Sequence, residues 1–249
     1  MTAVEDATPE TGEASGASPV IEVSDVWKLH KLGDEVVKAL VSVELTVMPG
    51  EFVCLMGPSG SGKSTLLNII GGLDRPTKGS VTIGGRDTGT LTESQFAALR
   101  HDTIGFIFQS YNLIPFLSAV ENVELPLMFE PYDRKALRQR ALELLDLVGL
   151  SHRVHHQPTK MSGGEQQRTA IARSLISNPT LVLADEPTAN LDHRTGETVV
   201  RMLRDLCSTL GVTVVASTHD PTVADEASRV VRMKDGQIIT GQTPSGETA

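Results

Sequence analysis

Nine residues, GPSGSGKST from Gly57 to Thr65, gather three glycines, four hydroxyls and one lysine. The apolar run EFVCLMG leads into them and a helical pattern from about Lys63 to Gly71 follows. A strand, a glycine-rich turn and a helix in that order form a cradle for phosphate. The glycines let successive backbone N–H groups aim at one anion, and the helix N-terminus adds its dipole. Gly57, Pro58, Ser59, Gly60, Ser61, Gly62, Lys63, Ser64 and Thr65 are therefore candidate phosphate contacts. Lys63 would bridge the β- and γ-phosphates, and Ser64 would bind Mg²⁺.

The stretch LVLADE supplies complementary acids. Asp185, at the C-terminal end of a buried strand, would hold Mg²⁺ through its water shell. Glu186 is next and is expected to point elsewhere, because alternate strand positions face opposite ways. It is the candidate general base for an attacking water. His219 follows the apolar strand VTVVAST and could contact the γ-phosphate; Gln109 ends IGFIFQ, where its amide could sense Mg²⁺ or the water. Both fall at the carboxyl edge of a parallel sheet, where such sheets bind ligands.

A second candidate cradle is MSGGEQQR, Met161 to Arg168. Ser162 is placed to cap a helix, with Glu165 completing a capping box. A helix start alone would be better served by Ala or Asp than by two glycines. Gly163 and Gly164 are expected to leave three N–H groups bare for an anion, with Ser162 adding a hydroxyl donor.

The elements around these motifs alternate. VIEVSDV and VSVELTV read as half-buried strands, SVTIGG as a short strand and TESQFAALR as a helix with a Thr92–Gln95 capping box. From Ser110 to Lys160 the pattern turns helical, with a Ser118–Glu121 capping box. Asp133 caps a helix whose apolar face is Leu137, Ala141, Leu144, Leu145 and Val148, closed by Gly149. Strand–helix alternation resumes at Pro179. Val199, Val200, Leu203, Leu206 and Leu210 make a helix face ending at Gly211, and RVVRMKDGQII is a hairpin turning at Asp235-Gly236. The expected fold is an α/β core with a helical insertion.

Composition sets bounds. Hydrophobic residues make up 39% and aromatic residues 4% of 249, so the core is aliphatic. Net charge is -9, with Glu5, Asp6, Glu10 and Glu13 near the start and no basic stripe, which argues against a nucleic-acid partner. The two cysteines, Cys54 and Cys207, sit in apolar patterns and are expected in the core of a protein from a reducing compartment. Residues 1–19 and 241–249 are expected to be unstructured tails, the first of them not a signal peptide. No apolar run approaches the roughly 18 residues of a membrane span.

The phosphate loop, Gln109, MSGGEQQR, LVLADE, PTANLD (Pro187 to Asp192) and STHD (Ser217 to Asp220) occur in this order. Together they resemble the nucleotide-binding domain of an ABC transporter, over about residues 20–240. The resemblance implies a P-loop NTPase (RecA-like) core, an antiparallel β subdomain and a helical subdomain at about 110–160. It implies ATP and Mg²⁺, with ATP hydrolysis coupled to transport or to motion of a membrane partner. Two copies would face each other head to tail, the Ser162–Gly164 segment of one closing on the ATP held by the other, and Asn190, Leu191 and Asp192 at the seam. The family stacks an aromatic side chain on adenine; here that place falls to His30, with Trp27 three residues earlier as the alternative. Met161 and Glu165 stand where the family usually has Leu and Gln.

LVSVELTVMPGEFVCLMGPSGSGKSTLLNIIGGLDRPTKG and QSYNLIPFLSAVENVELPL are similar to the LolD/MacB/FtsE-type branch. That implies an integral membrane permease partner and a place in the cytoplasm at the inner face of the membrane. Gln109 and Tyr111 to Leu117 would form the groove for the permease's cytoplasmic helix. A soluble ABC ATPase, for example of the iron–sulfur assembly type, is the alternative.

Overall fold

Strand β3 (Phe52–Met56) is apolar at every position because both of its faces are covered. Phe52 and Cys54 face one core and Val53 and Leu55 the other. Strands β7 (Leu181–Asp185) and β8 (Thr213–Thr218) divide the same way: Val182, Ala184, Val214 and Ala216 lie in the first core, Leu181, Leu183 and Val215 in the second. With β6 (Ile104–Ile107), β9 (Arg229–Lys234) and β10 (Gln237–Gln242) they form one six-stranded sheet, ordered β10-β9-β3-β8-β7-β6. All neighbours are parallel except the β9–β10 hairpin, whose turn residues Asp235 and Gly236 have φ +49° and +77°. The computed structural model describes residues 18–33 and 35–242.

The second core is roofed by an antiparallel sheet, β2-β1-β4-β5, built from β1 (Ile21–Leu32), β2 (Glu35–Val47), β4 (Lys78–Ile83) and β5 (Arg86–Asp87). Helix α1 (Lys63–Ile70) buries Leu66, Leu67, Ile69 and Ile70 beneath it, and α2 (Glu93–Thr103) adds Phe96 and Leu99. The Thr92–Gln95 capping box forms as expected. The first core continues into the helical insertion, α3 (Ala119–Glu124) and α4 (Arg134–Leu147), and takes in α5 (Gly163–Ser174) and α6 (His193–Leu210). Asp133 caps α4 through the Lys135 N–H at 3.0 Å. A short helix, α7 (Pro221–Glu226), precedes β9. Each fully buried Val or Leu on α6, such as Val199 or Leu203, contributes roughly 1.5–3 kcal/mol of transfer free energy.

Four expectations change. Leu210 is 49% exposed and lies off the α6 face. Strand β6 stops at Ile107, so Gln109 stands in the turn beyond it. Cys54 is buried while Cys207 is only half-buried; both are free, and burial pushes the Cys54 thiol up to about 12. β10 runs to Gln242, so the strand takes in Gly241 and Gln242 from the expected tail. Residues 1–17 and 243–249, on which the rest of the tail expectations fall, lie outside the described residues.

Register places the chemistry. Met56 pairs with Thr218, and Asp185 with Ser217, so the carboxyl ends of β3, β8 and β7 are level. The chain leaves these three strands into the Gly57–Thr65 loop, His219 and Glu186 respectively.

Candidate functional site

The Gly57–Thr65 loop turns between β3 and α1. Gly62, the residue before α1, has φ +99°, and a Cβ there would lie 2.6 Å from the Ala39 carbonyl oxygen, so only glycine fits. No side chain caps α1, and its first turn carries no acid. The helix therefore presents unpaired N–H groups and the positive end of its dipole. Ser61 Oγ is buried without a protein partner. The Lys63 ammonium is also buried; it donates to the carbonyls of Gly57 (2.8 Å) and Pro58 (3.1 Å), and its closest carboxylate is Glu186 at 4.0 Å. A buried cation without a close counter-ion, beside an orphaned hydroxyl and an uncapped helix, is the chemistry that phosphate satisfies.

Asp185 Oδ1 accepts hydrogen bonds from Ser64 Oγ at 2.9 Å and from Ser217 Oγ. The pairing of Ser64 and Asp185 brings together two hard oxygen donors suited to Mg²⁺. Among the described residues no three His, Cys, Asp or Glu side chains cluster to hold a metal. An ion here would share its shell with phosphate oxygens and water, as Mg²⁺ commonly does.

Glu186 does point away from Asp185, but not by strand alternation. The strand ends at Asp185, and Glu186 adopts φ +46°, a left-handed conformation costing about 1–3 kcal/mol at a non-glycine residue. Its N–H is fixed by the Ser217 carbonyl at 2.9 Å. The carboxylate meets His219 Nδ1 at 3.0 Å and Thr218 Oγ1 at 3.4 Å. A carboxylate partner requires Nδ1 to carry a proton, which leaves Nε2 free to face a ligand.

These groups border one cavity of about 410 Å³, lined by Ser59 to Thr65, Gln109, Glu186 and His219, with Val37, Lys38 and Ala39 on its β2 side. His30 is not in its lining, but its cross-strand partner Val37 is. Trp27 is committed elsewhere: its Nε1 donates to Asp25 Oδ1 at 2.8 Å, and Lys78 Nζ lies 5.8 Å from its ring centroid. His30 thus pairs with a residue of the cavity wall, whereas Trp27 pairs with Lys78.

The Ser162–Gly164 segment does not line this cavity. Its capping box is complete: Ser162 Oγ accepts from the Glu165 N–H at 3.3 Å, and Glu165 accepts from the Ser162 N–H at 2.8 Å. One of the three N–H groups expected to be free is thus used. The glycines also have a reason inside the chain. A Cβ on Gly164 would sit 2.4 Å from Thr195 Cγ2, and one on Gly163 would sit 2.9 Å from the Tyr111 hydroxyl.

Three partners were given no role by the sequence. Ser217 supports Asp185; Arg173, on α5, grips the carbonyls of Tyr111 and Asn112; and fully buried Asn122 holds the Ile114 N–H at 2.7 Å. Arg173 had a signal, a lone charge inside the apolar stretch IARSLI. A separate groove of about 410 Å³, lined by Leu73, Arg100, His101, Phe106 and Phe108, takes in Asn112 but not Gln109, which lines the phosphate cavity instead.

A family model described as ABC transporter matches residues 40–189. An ABC transporter ATP-binding protein of Thermotoga maritima is 51% identical over 219 residues, covering 88% of this chain and 93% of that protein. A macrolide export ATP-binding/permease protein, MacB of Syntrophobacter fumaroxidans, is 50% identical over 222 residues; the match covers 88% of this chain and 31% of MacB. Among solved structures, the ATP-binding cassette MJ0796, from Methanocaldococcus jannaschii, was seen as a dimer in a post-hydrolysis state bound to ADP and Pi. It superposes with a TM-score of 0.84 at 46% identity, over 91% of this chain and 100% of that one.

Proposed function

The chain belongs to the ABC transporter ATP-binding family, and on that premise we propose that it is the ATPase subunit that drives a membrane permease. It binds and hydrolyses ATP with Mg²⁺ and works as a dimer. One observation carries the assignment of roles: Lys63, Ser64, Gln109, Glu186 and His219 converge on a single cavity beside Asp185.

The Gly57–Thr65 backbone and Lys63 hold the phosphates, and His30 stacks on the adenine. Ser64 and Asp185 would hold Mg²⁺, with the Gln109 amide available as a further oxygen donor. The metal, when bound, neutralises charge on the β- and γ-phosphate oxygens. Glu186 orients a water and takes its proton as the water oxygen bonds to the γ-phosphorus. The bond from that phosphorus to the β–γ bridging oxygen breaks, and ADP carries away the electron pair. His219 Nδ1–H keeps the Glu186 carboxylate aimed, while Nε2 faces the γ-phosphate.

Ser162, Gly163 and Gly164 act on the second copy's ATP, which fits their absence from their own chain's cavity. The ATPase domain spans about 20–240, its helical subdomain about 110–160. No helix among the described residues is long and apolar enough to cross a membrane. In this reading the permease is the link to the membrane, and this subunit sits at its cytoplasmic face. MacB, which carries a permease in the same chain, supports that partner, and the named relatives favour transport over iron–sulfur assembly. Mg²⁺-dependent ATPase activity in the purified chain, lost in Lys63→Ala, tests the assignment; activity that survives this change contradicts it.

A further inference from the structure

The loop after β6 is tied to the seam residue Asn190 and to the head of α5. Asn190 Nδ2 donates to the Gln109 carbonyl at 2.8 Å, and the Tyr111 hydroxyl donates to the Asn190 carbonyl at 3.3 Å. That hydroxyl also occupies the space a side chain on Gly163 would need, 2.9 Å from the would-be Cβ. Tyr111 and Asn112 both adopt left-handed backbone conformations, φ +60° and +49°. Non-glycine residues hold such conformations only where their surroundings over-determine them. Here the surroundings are Arg173, which is buried and donates to the Tyr111 carbonyl at 2.7 Å and to the Asn112 carbonyl as well. Gln109, Tyr111, Asn190 and Gly163 therefore form one connected set within a single chain. Its ends are the residue that reaches the chain's own nucleotide and the segment offered to the other copy.

We propose that Tyr111 is a positioning residue whose hydroxyl keeps Asn190 and the Ser162–Gly164 turn in register with Gln109. The loop that meets a chain's own nucleotide then also sets the face that chain presents to its partner. This rests on the head-to-tail dimer described above.

The test begins with Glu186→Gln in ATP and Mg²⁺, where dimers should accumulate. If none form, the dimer reading falls, and the role of Tyr111 falls with it. In that background Tyr111→Phe keeps the ring and removes the hydroxyl. ATP affinity of the isolated chain should stay within about twofold, while ATP-driven dimerisation weakens about 2- to 12-fold, the worth of one neutral hydrogen bond. In the otherwise native chain the Hill coefficient for ATP in hydrolysis should fall. A second variant separates positioning from simple packing. Gly163→Ala should weaken dimerisation, and adding Tyr111→Phe should recover part of the loss by vacating the space. The proposal is overturned if Tyr111→Phe leaves dimerisation unchanged, or lowers the melting temperature alone, or gives no relief to Gly163→Ala.

Discussion

His219 Nδ1 lies 3.0 Å from Glu186 Oε2, while Lys63 Nζ stands 4.0 Å from Oε1 of the same carboxylate. The carboxylate is thus held on one side by an imidazole and on the other faces the cation meant for phosphate. Glu186→Gln keeps the shape and removes the basicity. It should bind ATP normally and hydrolyse it roughly 10²- to 10⁴-fold more slowly, the usual worth of a general base. Steady-state phosphate release alongside nucleotide binding checks this; turnover at the native rate would remove Glu186 from the role of base.

Trp27 is held by Asp25 and Lys78, and His30 pairs across the strands with a residue of the cavity wall. His30→Ala should weaken ATP and GTP modestly and alike, because stacking reads a π-face rather than hydrogen-bonding edges. Trp27→Ala should leave both affinities unchanged. Equilibrium titration with a fluorescent nucleotide distinguishes the two, and the reverse pattern would move the stacking position by three residues.

Gly164 packs against Thr195 at the start of α6, where a Cβ would meet Cγ2 at 2.4 Å but Cβ at an ordinary 3.8 Å. Gly164→Ala should cost about 1–3 kcal/mol in stability, the scale of overpacking a filled site. Thr195→Ser deletes the offending methyl and should restore most of it. Chemical denaturation of the three variants measures the coupling; equal losses with and without Thr195→Ser would mean that the Thr195 methyl is not what the glycine avoids.

Burial opposes ionisation of Glu165, but hydrogen bonds from Ser162 and Arg153 outweigh it and hold the carboxyl below its ordinary 4.5. A folded pKa below the unfolded one gives stability that is present above pH 4.5 and lost as pH falls through the folded value. Glu165→Gln should therefore flatten the fall in melting temperature below that pH while leaving neutral ATPase activity intact. A melting profile as steep as the native one would show that this carboxyl does not titrate with folding.

The strand–turn–helix around Gly57–Thr65 and the capping boxes at Thr92 and Ser162 were legible because each depends on near neighbours in sequence. The parallel strands were legible as apolar runs, since both faces are buried. What sequence could not give was register and long-range contact. The turn of Glu186 depends on the Ser217 carbonyl, 31 positions away, and the fit of Gly164 on a methyl of Thr195. Leu210 kept the helical period of the α6 face, yet it sits one residue from the Gly211 C-cap and stays in solvent.

The head-to-tail arrangement is tested most directly by disulfide trapping of Ser59→Cys on one chain against Ser162→Cys on another. The chains carry Glu186→Gln, and Cys207, the half-buried thiol, is replaced by Ser. With ATP and Mg²⁺ the two positions should crosslink between chains in high yield, and with ADP or no nucleotide they should not. ATP-dependent dimers that form without this crosslink would contradict the arrangement.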